Sequence, residues 1–109
     1  MATTYKVLAQ SNPSATTATT LYTVPSATST VVSTISICNQ AASAGTYRVA
    51  VRPAGAALAT QHYIAYDVAI AANDTTALTL GITLATTDVV TVYASSANMS
   101  FAVFGSEIS

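Results

Sequence analysis

Over residues 47–52, Tyr47, Val49 and Val51 alternate with Arg48, Ala50 and Arg52, the two-residue period of a strand with one buried face. The stretch from 62 to 70 repeats the pattern and assigns Ile64, Tyr66, Val68 and Ile70 to the apolar face, opposite Tyr63, Ala65, Asp67 and Ala69. Over residues 78–84, Leu78, Leu80, Ile82 and Leu84 alternate with Thr79, Gly81 and Thr83. Val90 and Val92 stand opposite Val89, Thr91 and Tyr93, and Met99, Phe101 and Val103 form a last apolar series. Three earlier runs, 5–10, 21–24 and 31–38, are less regular; in the third, Ile35 and Ile37 are expected inward and Thr34 and Ser36 outward. No stretch carries the helical period, and 36 residues are Val, Ile or Thr, whose stiff branched side chains favour a pleated surface.

Between these runs lie segments with turn chemistry, such as Pro53-Ala54-Gly55, Ala72-Asn73-Asp74-Thr75 and Thr86-Thr87-Asp88. Connections this short join antiparallel neighbours, because parallel pairs need a crossover of a dozen or more residues. The expected fold is therefore all-β: a single-domain antiparallel β-sandwich of seven or eight strands, with a jelly roll or small barrel as the variant form. Residues 1–20 read as an N-terminal strand or arm followed by a Ser/Thr/Ala linker containing Pro13, and residues 21–109 as the sandwich. That first strand has two possible partners, its own sheet or a neighbouring subunit.

Charge narrows the picture. Only 6% of the 109 residues are charged, against about a quarter in an ordinary domain. Lys6, Arg48 and Arg52 cannot build the cationic stripe that phosphate backbones require, so nucleic acid is not an expected partner. Ala, Thr and Ser make up 53 residues, yet the mean hydropathy of +0.51 and net charge of −1 lie opposite the corner occupied by disordered chains. The longest apolar run, residues 68–72, is too short to span a bilayer or to serve as a signal peptide, so no membrane partner is expected. The lone Cys38 allows no internal disulfide, which suits synthesis in a reducing compartment.

Candidate chemistry is sparse. His62 is the single histidine and has no neighbouring ligand at metal-binding spacing, so neither a metal nor another cofactor is expected. It reads instead as a strand-edge histidine bonded locally. Asp74 and Asp88 fall at turns, where a carboxylate accepts from nearby backbone N–H groups. There is no Gly-x-Ser-x-Gly elbow, and Cys38 ends an apolar strand, so no enzyme is expected. Arg48 and Arg52 leave one strand on the same face, about 13 Å apart, and make a candidate ionic contact with a partner. Tyr63 and Tyr93, outward by alternation, are candidate contacts as well, since tyrosine gives large apolar area with a polar tip.

Several segments taken together resemble small virion structural proteins of tailed bacteriophages, particularly those of cyanobacteria: residues 1–8 (Met-Ala-Thr-Thr-Tyr-Lys-Val-Leu), 21–25, 47–55 and the ending 104–109. The resemblance spans nearly the whole chain and includes no catalytic motif. It implies a non-enzymatic component of the virion made in the host cytoplasm, foremost a capsid decoration or cement protein, with a neck, tail or fibre component as the alternative. A host-glycan-binding module is a third possibility. Partners on this reading are the major capsid protein or other virion proteins and the chain itself, as a closed homo-oligomer, a trimer, that buries exposed strand edges.

Overall fold

Antiparallel pairing accounts for every strand among the described residues. The structure is a computed structural model describing residues 2–109; Met1, where the resemblance begins, lies outside the described residues. The strands are β1 (Thr3–Ser11), β2 (Thr19–Thr23), β3 (Ser29–Asn39), β4 (Gly45–Arg52), β5 (Tyr63–Ile70), β6 (Thr75–Leu78), β7 (Ile82–Leu84), β8 (Val89–Ala94) and β9 (Met99–Ile108). Two short 3-10 turns, Pro53–Gly55 and Thr60–His62, lie between β4 and β5.

The pairings are nested. β1 pairs β9, β2 pairs β8, β3 pairs both β6 and β7, and β4 pairs β5, so the chain is one long hairpin with its tip at the β4–β5 connection. Two further ladders, β3–β9 and β4–β8, roll this hairpin into stacked sheets, β1-β9-β3-β6 with β7 also on β3, and β2-β8-β4-β5. That is the strand order of a jelly roll, a form of the antiparallel sandwich. β1 pairs within its own chain, and Ala2 and Ser109 exchange backbone hydrogen bonds of 2.8 and 2.9 Å.

The core lies between the sheets. Val32, Ile35, Ile37, Met99, Phe101 and Val103 from the first sheet meet Leu21, Tyr47, Val49, Val90 and Val92 from the second, each less than a tenth exposed. Val32 and Ile35 are three residues apart yet both face inward, because a bulge between Val32 and Thr34 shifts the pleat by one residue. At one end a polar clasp joins the sheets. The Tyr22 hydroxyl on β2 donates to Glu107 Oε2 on β9 at 2.6 Å and lies 2.8 Å from the Thr30 hydroxyl, while Lys6 Nζ pairs with Glu107 Oε1 at 2.8 Å.

Three expectations are corrected. The run 78–84 is two strands where one was expected, giving nine among the described residues rather than seven or eight: Thr79–Gly81 leave the ladder, Gly81 has φ +63°, and Leu80 is exposed. β5 does not alternate as expected. Its register against β4 shifts twice, and Asp67 takes a left-handed φ of 50°. Ala65 consequently packs on the core, while Ile64 and Tyr66, expected inward, are exposed. His62 belongs to the 3-10 turn before β5 and not to the strand itself.

Candidate functional site

The face of β2-β8-β4-β5 that looks away from the core carries the four residues singled out from the sequence. Arg48 and Tyr93 are direct cross-strand partners on β4 and β8. The Arg48 guanidinium carbon lies 4.1 Å from the Tyr93 ring centre and 4.2 Å from that of Tyr66, so the cation is held between two aromatic faces. Its Nε donates to Asp67 Oδ1 at 2.6 Å and its Nη2 to Asp67 Oδ2 at 3.3 Å. The carboxylate bonds raise the Arg48 pKa above its already high ordinary value. The bulge that carries Asp67 is what brings an acidic and an aromatic side chain to Arg48 from consecutive positions on β5.

Tyr63 joins this group through Tyr66, edge to face, with ring centres 4.8 Å apart and planes at 84°. Beside them, Leu58, Ala59, Thr60, Tyr63 and Tyr66 line an open concavity of about 600 Å³. Arg52 has a separate task. Its Nε donates to Thr91 Oγ1 at 3.0 Å, and its Nη1 donates to the carbonyl oxygens of Ala56 at 3.0 Å and Gly55 at 3.4 Å. Arg52 therefore anchors the turn after β4. Alternation alone brought Arg48, Tyr63 and Tyr93 into view and passed over Tyr66 and Asp67. The available signal was the scarcity of ions: with four acidic residues in the chain, a carboxylate near a strand arginine in a hairpin is a natural partner.

The remaining candidates are engaged locally. The Ala59 N–H donates to His62 Nδ1 at 3.0 Å. Asp88 accepts from the Ala54 and Ala85 N–H groups at 2.8 and 2.9 Å, and Asp74 from the Thr75 N–H at 2.8 Å. Cys38 is a free, half-buried thiol on β3, in the opposite sheet from the turn that carries His62. Among the described residues no three His, Cys, Asp or Glu side chains come together in a metal-binding group.

The outer face of the other sheet has a different character. Its cross-strand rows are Thr3, Ile108 and Ser29; Tyr5, Ser106, Val31 and Thr83; Val7, Phe104 and Thr34; Gln10, Ala102, Ser36 and Ala77; and Ser100, Cys38 and Thr75. None of these residues is charged. Among the described residues the two ions of this sheet, Lys6 and Glu107, belong to the alternate rows and pair with each other beside Tyr22, although the half-exposed Lys6 also borders a concavity with Tyr5, Val31, Phe104 and Ser106. Tyr5 is 83% exposed and Val7 is 50% exposed on this uncharged face.

No family model matches the chain, and no curated protein or solved structure matches it.

Proposed function

We propose that this protein is a non-enzymatic structural component of a tailed-phage virion, foremost a capsid decoration protein that stabilises the shell through subunit contacts. The observation that carries this reading is the segregation of charge: the outward rows of β1-β9-β3-β6 carry none, with only Lys6 and Asp88 bordering them, while Arg48, Arg52 and Asp67 lie on the opposite face. An uncharged sheet face bearing exposed Tyr5 and Val7 is poorly suited to a lone molecule in water and well suited to being covered. The resemblance of residues 1–8, 21–25, 47–55 and 104–109 to virion proteins supports the same reading. So does the jelly-roll strand order, by analogy, since that architecture serves many viral capsid domains.

The Arg48–Tyr66–Tyr93 group is the proposed contact with a second virion protein, because stacked tyrosine and arginine are the residue types that anchor protein interfaces. Quantitative protein stoichiometry of purified particles tests the reading. Hundreds of copies per particle place the protein on the capsid, a dozen or fewer place it in the neck, tail or fibre, and absence from particles overturns the proposal. Tyr66→Ser, at an exposed position, is expected to lower occupancy at least several-fold without changing the fold. The concavity beside Tyr63 and Tyr66 favours a second reading, a host-glycan-binding module, for which glycan-array binding abolished by Tyr63→Ala is the test.

A further inference from the structure

We infer that the uncharged outer face of β1-β9-β3-β6 is a self-association surface that packs against the same face of a second copy of this chain, forming a two-fold dimer. This inference rests on the reading of the protein as an assembly component and specifies which surface assembles and with what.

The size of the face is appropriate. β1, β9, β3, β6 and β7, with 9, 10, 11, 4 and 3 residues at about 3.4 Å each and strands about 4.8 Å apart, cover roughly 600 Å². Stable specific interfaces bury about 600 to 1,000 Å² on each partner, so a contact that covers the whole face reaches the lower end of that range. Its chemistry selects the occupant. A partner carrying ions in the middle of the contact would leave them desolvated and unpaired, because the rows from Thr3, Tyr5, Val7 and Gln10 across to β6 and β7 hold no charge and only Lys6 and Asp88 border them. The matching surface must also be poor in charge, and the chain itself supplies one. A surface that meets its own copy closes at two subunits, and sheets stacked face to face at about 10 Å are a standard packing.

Tyr5, Val7 and Phe104 form an apolar patch on the β1 side of this face, and Tyr5 and Val7, on the edge strand, are exposed. Face pairing directs the contact through side chains and leaves the strand edges free, unlike the edge-covering trimer expected from the sequence. It also leaves both Arg48 groups on outward-facing surfaces pointing away from each other, so one dimer is able to bridge two neighbouring partners, as a cement protein must.

Sedimentation equilibrium of the full chain tests this. The wild type is expected at twice the 11.0 kDa chain mass at about 10 μM, a concentration at which a micromolar association is largely formed. Tyr5→Lys/Thr83→Lys, which places charges at two exposed positions of one cross-strand row, is expected to weaken dimerisation at least tenfold with an unchanged circular dichroism spectrum. Ile64→Lys, on the opposite sheet, is expected to leave the dimer intact. A wild type that stays at the single-chain mass, a wild type at three chain masses, or a dimer undisturbed by Tyr5→Lys/Thr83→Lys overturns the inference. Any of these leaves the virion reading standing, whereas absence from particles removes that reading and leaves the dimer.

Discussion

Tyr22 connects the two sheets through chemistry that neither strand has alone. Its ring is buried with the core while its hydroxyl reaches Glu107 and Thr30. Burial first, then the Glu107 carboxylate, pushes its pKa from 10.0 up to about 12. The folded state therefore holds the phenolic proton more tightly than the unfolded chain. That contribution is fully present below pH 10 and is lost as pH rises toward 12. Glu107 behaves oppositely: the hydrogen bond from Lys6, then that from Tyr22, holds its carboxyl below the usual 4.5. Its contribution is present above that value and disappears as pH falls through the depressed one. Tyr22→Phe is expected to cost about 1–3 kcal/mol at pH 7 in urea unfolding, since it strips Glu107 and Thr30 of a buried partner. Glu107→Gln is expected to lower the melting temperature at pH 7 and to flatten its fall as the pH drops below 4.5. Equal acid slopes for Glu107→Gln and wild type would contradict the assignment. None of this was legible in the sequence, because Tyr22 and Glu107 are 85 positions apart and nothing local in either residue's surroundings marks the pair.

Within single elements, alternation was a good guide wherever the ladder is regular and failed where a bulge or a break intervenes. β4, β8 and β9 kept the expected inward sides for Tyr47, Val49, Val90, Val92, Met99, Phe101 and Val103. β5 did not, because two register shifts turn Ile64 and Tyr66 outward, and a one-residue slip moves every later side chain to the other face. The same bulge assembles the Arg48–Asp67 pair, so the irregularity that spoiled the reading also builds the site. Two glycines show how position decides cost. Gly81 has φ +63° at the break between β6 and β7, with nothing within 4 Å of an added Cβ. Gly81→Ala is expected to cost about 1 kcal/mol from backbone strain alone. Gly105 lies on β9 where β3 bulges, and a Cβ there would collide with the Val31 carbonyl oxygen. Since backbone rather than a flexible side chain must move, Gly105→Ala is expected to cost at least 2–3 kcal/mol. Urea midpoints of the two variants compare these directly, and equal losses would refute the close approach of β9 to β3.

At the scale of the whole molecule, the antiparallel two-sheet class followed from short polar connections, but the order of strands did not. Pairing β1 with β9 and β2 with β8 joins opposite ends of the chain, and no local pattern encodes which strands meet across such a distance. This nesting has an energetic consequence for the first strand. β1 contributes Leu8 and Ala9 to the core margin, Lys6 to the Glu107 clasp, and a ladder along β9. Asn12, just after it, donates from Nδ2 to the Ala97 and Met99 carbonyl oxygens at the start of β9. Residues 2–12 are thus a structural edge of the first sheet. Deleting them bares the long edge of β9, an invitation to edge-to-edge pairing, and removes a closing ladder of the jelly roll. The deletion variant is expected to unfold at a markedly lower urea concentration and to aggregate, whereas the surface variant Ile64→Lys, on the opposite sheet, is expected to unfold within about 0.5 kcal/mol of wild type. Because the closing ladders are non-local, refolding of the wild type is expected on the millisecond-to-second scale of all-β domains. If the shortened chain instead kept the wild-type midpoint, β1 would be an appended arm, and the first sheet would have to be stable on β9, β3, β6 and β7 alone.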